Sequence, residues 1–203
     1  MLPKAENSAL LVIDMQNGFC NKGGSCDRMG LPIERLQSAI EPCERLIAAA
    51  RAQSVPVIYT RYVYRADYRD GGLLVKELMP ALETCKALIA GSEDAEILPL
   101  LAPHDGDYVL DKNRASAFYA TPLETWLRGL GIEDLVVCGV TTNCCVETSV
   151  RDASQRDYRT FVVADAVAEF DDERHSVALQ AIAMLFGYVT DTTSVETAWA
   201  DHD

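Results

Sequence analysis

Basic residues and long apolar runs are scarce in this sequence. Lysine and arginine number 18 against 31 aspartates and glutamates, which gives a formal net charge of −13. Nucleic acids bind clustered basic side chains, so this balance disfavours a nucleic-acid partner. No apolar run approaches the ~20 residues that cross a bilayer, and the amino terminus lacks the apolar core of a signal peptide. We therefore expect a cytoplasmic protein that makes no membrane contact.

Paired metal ligands are missing as well. The seven cysteines contain no Cys-x-x-Cys pair, and the three histidines are not paired, so no zinc pattern is present. An odd number of scattered cysteines fits no disulfide framework, and we expect free thiols in a reducing compartment. We expect neither a metal nor another cofactor. The length of 203 residues and the 49% hydrophobic content predict one globular domain, 1–203.

Strand-like and helix-like stretches alternate along the chain. This alternation predicts a three-layer α/β/α, Rossmann-like domain with a mostly parallel sheet. Six strands are predicted, over residues 9–14, 55–60, 108–110, 135–138, 160–164 and 188–190. Helices are predicted over 32–53, 121–128, 145–156 and 171–186, and a further helix is possible over 73–82. Loops are expected at 15–31 and 61–72, and the tail is expected to be short and acidic.

The most informative stretch joins the fourth strand to the helix that follows it. The apolar run 135–138 is followed by Gly139, by three residues typical of helix caps, and by Cys144 and Cys145. Strand, tight turn and helix in this order place a cysteine at a helix N-terminus, above the carboxyl end of a central strand, where open parallel sheets bind ligands. A helix N-terminus stabilises a thiolate or an oxyanion. On this turn alone, a nucleophile and a buried structural cysteine remain equally good interpretations.

Two other predicted strands end in ionisable groups. The first ends at Asp14 and the third ends beside Lys112. Because the carboxyl ends of parallel strands lie at one edge of the sheet, Asp14, Lys112 and Cys145 are all expected at that edge. A structural ion pair between Asp14 and Lys112 is the competing interpretation, since a buried pair is weak evidence of function.

These segments together resemble the isochorismatase-like cysteine hydrolases over nearly the whole chain. Asp14, Lys112 and Cys145 fall on the motif positions of the family's Asp-Lys-Cys triad, and the motif Gly-Val-Thr-Thr-Asn-x-Cys aligns Cys145 rather than Cys144. The segments most similar to the group containing N-carbamoylsarcosine amidase, biuret hydrolase and ureidoacrylate amidohydrolase are residues 14–20, 139–146 and 186–191.

The resemblance implies a fold and a mechanism. It implies the strand order 3-2-1-4-5-6, a cis peptide at Val140-Thr141 and a homodimer or homotetramer, for which the aromatic stretch 61–72 offers interface material. It also implies a metal-independent amidohydrolase that cleaves a small ureido or carbamoyl-type amide with water. Cys145 would attack, Asp14 would transfer the proton, Lys112 would hold Asp14 ionised, and backbone N–H groups of Thr141 and Cys145 would bind the oxyanion.

Further residues are expected around the substrate. By resemblance, the Thr141 and Thr142 hydroxyls would bind a carboxylate or carbamoyl oxygen. Arg114 would pair either with an anionic substrate or with a surface acid. Cys144 is expected to pack against the sheet. The other predicted substrate contacts are Asn17, Phe19, Tyr62 and Phe118, whereas His104 and His175 are expected to be solvated.

Two alternative functions are weighed against the amidohydrolase. Nicotinamidases resemble this chain but have an Asp-x-His metal motif after the second strand, and no histidine occurs here before Pro103. A catalytically silent binding member of the family is the non-enzyme alternative, and the intact set of Asp14, Lys112 and Cys145 counts against it. An isochorismatase proper usually lacks the cysteine, so Cys145 disfavours cleavage of a vinyl ether.

Overall fold

Six parallel strands form the sheet of the computed structural model, which describes residues 1–201. The strands are β1 (Ser8–Ile13), β2 (Val57–Tyr62), β3 (Tyr108–Lys112), β4 (Asp134–Val140), β5 (Arg159–Ala168) and β6 (Tyr188–Thr190). They lie in the order β3-β2-β1-β4-β5-β6, and every pair of neighbours is parallel. The predicted α/β class, all six strands and the strand order are therefore confirmed.

Helices cover both faces of this sheet. The α-helices are α1 (Asn17–Cys20), α2 (Ser25–Arg28), α3 (Ile33–Gln37), α4 (Ile40–Ala52), α5 (Ala81–Thr84), α6 (Leu123–Gly129), α7 (Glu147–Ser154), α8 (Asp172–Leu185) and α9 (Thr192–Ala200). Short π-helical turns lie at Leu74–Leu78 and Thr142–Val146, and 3-10 turns at Ala5–Asn7, Glu93–Ala95 and Pro99–Leu101. Within residues 1–201, none of the helices combines the length and the apolar character that crossing a membrane requires.

Alternating side chains of the central strand supply two separate cores. Leu11 and Ile13 face one core, which α6, α7 and α8 cover. Leu10 and Val12 face the other, which contains apolar residues of α3, α4 and α9. The continuous apolar run of β1 is thus explained by burial on both faces, as expected for a central parallel strand.

Prolines account for two differences from the predicted helices. The predicted helix 32–53 is split into α3 and α4 around Ser38 and Ala39. The ring of Pro42 clashes with a helical carbonyl four residues earlier, at Ser38, so a continuous helix is excluded. Pro80 likewise separates the π turn from α5, because the residue before a proline avoids the α conformation.

The tail, which the sequence predicts only to be short and acidic, contains the helix α9. The Asp191 side chain accepts the Ser194 N–H at 2.9 Å and caps the helix. Thr192, Val195 and Trp199 are buried at helical spacing, and Trp199 is among the largest fully buried side chains. The cap and the three-and-four spacing were the sequence signals that would have predicted this helix.

Candidate active site

The ends of β1, β2 and β3 contain a buried ion pair. Lys112 Nζ lies 2.7 Å from Asp14 Oδ2, and both side chains are fully buried. The second carboxylate oxygen, Oδ1, accepts a hydrogen bond from Thr60 Oγ1 at 2.6 Å. Lys112 Nζ also donates to the Arg114 carbonyl at 3.2 Å and lies 4.3 Å from the centre of the Tyr62 ring. Both charges are therefore compensated and fixed by neighbours on three strands.

Backbone geometry brings this pair close to β4. Asp14 has a φ of 51°, a left-handed conformation that is uncommon for residues other than glycine and that clusters at functional sites. Gly139 on β4 has a φ of +108°, and a Cβ there would lie 2.0 Å from the Ile13 carbonyl oxygen. Only glycine permits β4 to pass this close to the end of β1.

The turn after β4 sets the position of Cys145. The peptide Val140-Thr141 is cis, which confirms the conformation that the resemblance implied. The Thr141 carbonyl accepts N–H groups from both Cys144 and Val146, each at 3.2 Å, so the helix starts with a π turn before α7. Cys145 is buried and Cys144 is exposed, so the expectation that Cys144 packs against the sheet is wrong.

A serine one turn further on ties this helix to β3. Ser149 Oγ donates to the Cys145 carbonyl at 2.6 Å and accepts the Ala117 N–H at 2.9 Å. The Ala117 segment directly follows the strand that ends at Lys112. The positions of Cys145 and Lys112 are thus linked through one buried hydroxyl that sequence reasoning did not single out.

The charges of the site favour a protonated thiol at rest. The Cys144 thiol beside it and burial raise the pKa of Cys145 well above its ordinary value, and Asp14 adds to this effect while Lys112 opposes it. Burial alone would lower the pKa of Lys112, but the negative charge of Asp14 and its hydrogen bond to Lys112 contribute to raising it overall. A thiol in this state would need a base before it could act as a nucleophile, and Asp14 is the acidic group whose charge acts on it.

The end of β5 and the start of α8 hold the other side of the turn. Thr142 Oγ1 lies 2.9 Å from His175 Nδ1, and Thr142 is fully buried. The Asn143 N–H donates to Glu169 Oε2 at 3.3 Å. His175 is only half-exposed, so the expectation that it is solvated is wrong, whereas His104 is exposed as expected.

Comparison with known proteins decides the family. The isochorismatase domain model matches residues 8–194. Ureidoacrylate amidohydrolase RutB from Methylorubrum extorquens is 35% identical over 207 residues, which cover 96% of this chain and 83% of that protein. This chain belongs to the isochorismatase family.

Solved structures of this family agree with the fold. A cysteine hydrolase from Pseudomonas syringae pv. phaseolicola superimposes with a TM-score of 0.89 at 32% identity, covering 98% of this chain and 94% of that one. N-carbamoylsarcosine amidase from Thermoplasma acidophilum superimposes with a TM-score of 0.76 at 27% identity, covering 92% of this chain and 96% of that one. The family resemblance inferred from the sequence is thereby confirmed.

The predicted substrate contacts of this isochorismatase-family chain divide into two groups. Tyr62 lies against Lys112, as described above, and Phe19 is half-buried at the start of the loop after Asp14. Asn17 is instead occupied within its loop, where Nδ2 donates to the Glu93 carbonyl at 2.9 Å.

Two other predicted contacts, Phe118 and Arg114, are engaged with other neighbours. The Phe118 ring packs 6.1 Å from Tyr158 and 5.0 Å from the Arg156 guanidinium, near the opposite end of α7 from Cys145. The Arg114 guanidinium donates to main-chain carbonyls, to Asp70 at 2.8 Å and to Asn113 at 2.6 Å. Among residues 1–201, Arg114 therefore forms no salt bridge with an acidic side chain, and it holds a loop in place.

Tyr64 is a site residue that sequence reasoning placed in an exposed loop. Its side chain is 1% exposed, and its hydroxyl has no hydrogen-bond partner in the described part of the chain. Its ring lies 5.2 Å from that of Tyr62. Burial, the leading cause, raises the pKa of Tyr64 to about 12, whereas the adjacent Tyr62 hydroxyl and the positive charge of Lys112 lower it. Tyr62 and Tyr64 alternate across Val63, a strand-like spacing that was the available signal.

Proposed function

We propose that this isochorismatase-family chain is a metal-independent cysteine amidohydrolase that cleaves a C–N bond of a small ureido or carbamoyl-type amide. The observation that carries the proposal is the fully buried Asp14–Lys112 pair, whose charges both act on Cys145. An ion pair costs free energy to bury, and a carboxylate that is held by an ammonium and acts on a nearby thiol can serve as the base for proton transfer. The named activities of the relatives, a ureidoacrylate amidohydrolase and an N-carbamoylsarcosine amidase, support the same chemistry.

The first half-reaction forms a thioester. Asp14 takes the proton from Cys145 as Sγ bonds to the amide carbonyl carbon, and the carbonyl oxygen becomes an oxyanion. By family resemblance, the backbone N–H groups of Thr141 and Cys145 hold that oxyanion. When the oxyanion collapses, the C–N bond breaks and its electron pair goes to nitrogen, which takes the proton from Asp14 and leaves as ammonia or an amine.

Water completes the cycle. Asp14 takes a proton from a water molecule, whose oxygen bonds to the thioester carbonyl carbon. The S–C bond then breaks, sulfur takes the proton from Asp14, and the acid product leaves. Lys112 stays protonated throughout, because its pKa lies above the ordinary lysine value, and it keeps Asp14 negatively charged between proton transfers.

The buried Tyr64 hydroxyl, which interacts with the Tyr62 side chain but has no partner in hydrogen-bond geometry among residues 1–201, favours a compact polar substrate. A buried hydroxyl without a partner costs free energy, and such groups in native proteins call for an explanation. Tyr64 lines the same cavity as Lys112, and the charges of Lys112 and Arg114 act on its hydroxyl. A ureido or carbamoyl group beside Cys145 offers an oxygen or an N–H to this hydroxyl.

Tyr64→Phe tests this substrate class in an ammonia-release screen of small amides. Wild-type protein should turn over ureido or carbamoyl amides faster than nicotinamide. Tyr64→Phe should lower kcat/KM for the preferred amide by roughly tenfold, the equivalent of one hydrogen bond. Tyr68→Phe is the matched control, because the Tyr68 hydroxyl donates to the Ala87 carbonyl at 2.7 Å and should affect stability rather than substrate preference. Faster turnover of nicotinamide than of every ureido or carbamoyl compound would refute the proposed class.

Chelation should leave turnover unchanged. Among residues 1–201, no group of three or more histidine, cysteine, aspartate or glutamate side chains is arranged to hold a metal ion. Dialysis against EDTA, followed by the ammonia assay, should therefore give the same kcat as untreated protein. Loss of activity that zinc or another divalent ion restores would exclude the proposed mechanism.

Assembly and location remain predictions. We propose a homodimer or homotetramer in the cytoplasm, as expected from the sequence. The segment 61–72 supplies less interface material than expected, because its three tyrosines, Tyr62, Tyr64 and Tyr68, are buried within the chain itself.

A further inference from the structure

His175 touches the reactive turn from outside the Asp-Lys-Cys set. It lies in the first turn of α8, and Nδ1 is 2.9 Å from the hydroxyl of Thr142. Thr142 is the first residue of the π turn that contains Cys145, and it is fully buried. The next residue, Asn143, is held by Glu169 at the end of β5. The start of the turn is therefore held by a histidine from α8 and by a glutamate at the end of β5.

We infer that His175 is a positioning residue that holds the first turn of the Cys145 helix through Thr142, and that its protonation lowers activity on the acid side of neutrality. The inference rests on the proposed amidohydrolase function for its activity readout. His175 itself has no part in the bond-making steps, and it acts only through Thr142.

The chemistry of the imidazole supplies the sensitivity to pH. A neutral ring with its proton on Nε2 accepts the Thr142 hydroxyl proton at Nδ1. A protonated ring donates at both nitrogens, so the hydroxyl must rotate and become the acceptor. Because Thr142 is fully buried, the released hydroxyl proton must then find another acceptor or remain unpaired, at a cost in free energy. The turn should loosen as a result.

The groups around His175 favour its neutral form at pH 7. Burial, the leading cause, lowers the pKa of His175 below 6.5, although Glu169 and Asp172 act in the opposite direction. The other charged groups around the same cleft are Arg35, which pairs with Asp172, and Asp165. The titratable groups on the segment that His175 holds are the thiols of Cys144 and Cys145. Activity controlled by His175 should therefore fall as the pH drops below about 6.5.

Two substitutions separate the hydrogen bond from the charge. In His175→Asn, a polar side-chain atom replaces Nδ1 as the partner of Thr142, but it cannot be protonated. His175→Leu removes both the hydrogen bond and the titratable group. We expect His175→Leu to lower kcat roughly tenfold with KM little changed, as loss of one buried hydrogen bond predicts. His175→Asn should retain kcat near neutral pH and show a weaker decline than wild type between about pH 6.5 and 5. Equal kcat values and pH profiles in all three proteins would overturn the inference.

A second readout does not depend on the substrate. In a Cys144→Ser background, alkylation of Cys145 by iodoacetamide can be followed by peptide mass spectrometry. A loosened turn exposes the buried thiol, so His175→Leu should react at least threefold faster than its parent near neutral pH, and His175→Asn should react like the parent. If the wild type hydrolyses no amide, the proposed function fails, while this assay still tests His175. If His175→Leu does not fold, His175→Asn alone tests the inference. This variant should be alkylated at the rate of its parent, and its activity should decline less at acid pH than that of the wild type. An unchanged acid decline overturns the inference.

Discussion

Replacing Cys145 with serine is expected to abolish turnover, with kcat reduced by at least roughly 10³-fold. The hydroxyl of serine is a far weaker nucleophile than a thiol at neutral pH. The carboxylate of Asp14, which is paired with Lys112, would be the only proposed base to remove the proton of the serine hydroxyl. The change in volume is small, so the protein should stay folded. Ammonia release, with circular dichroism to check the fold, measures both outcomes.

Cys144→Ser is the matched control for this prediction. Cys144 is exposed and adjacent in sequence, so the variant changes the same chemical group at a solvent-facing position. We expect its kcat to stay within roughly threefold of wild type. An inactive Cys144→Ser beside an active Cys145→Ser would assign the nucleophile to Cys144 instead.

Replacing Lys112 with methionine is expected to lower both activity and stability. The substitution leaves the fully buried Asp14 carboxylate without its ammonium partner. Removal of one member of a buried pair costs about 3–5 kcal/mol, which corresponds to a drop in Tm of roughly 10 °C for a chain of this size. Differential scanning calorimetry measures the loss. A Tm within about 2 °C of wild type would show that the pair is not charged in the folded protein.

The double variant Asp14→Asn, Lys112→Met separates stability from catalysis. Removing both charges should recover much of the Tm lost in Lys112→Met, because no uncompensated charge remains, while turnover stays absent.

The contribution of Lys112 to stability should also depend on pH. Because the folded-state pKa of Lys112 is raised above 10.5, its contribution to stability is fully present below pH 10.5 and is lost only as the pH rises through the folded-state value.

The triad positions could be predicted because they lie where strands end. Asp14 follows an apolar run that is buried on both faces, Lys112 closes a partly exposed edge strand, and Cys145 follows the turn at Gly139. The order of apolar and polar residues along the sequence indicates where strands end, because parallel strands that are buried on both faces appear as continuous apolar runs. The strand order and the cis peptide came from the family resemblance, because neither is encoded in local periodicity.

Partners that reach the site across the fold could not be predicted in the same way. His175 meets Thr142 across 33 residues of sequence, and Ser149 receives the Ala117 N–H across 32. Such contacts depend on how helices pack against strand ends, which no local pattern specifies. The role of Phe118 as a substrate contact stays a prediction: its segment leaves the expected strand, and its ring packs against Arg156 and Tyr158.

Trapping of the covalent intermediate tests the central claim most directly. Wild-type protein mixed with the best ureido or carbamoyl substrate and quenched in acid should yield a peptide in which Cys145 bears the acyl mass of the substrate. Cys144→Ser should give the same adduct, and Cys145→Ser should give none. An adduct on Cys144, or rapid turnover that never produces a labelled cysteine under quench conditions that preserve a model thioester, would contradict nucleophilic catalysis by Cys145.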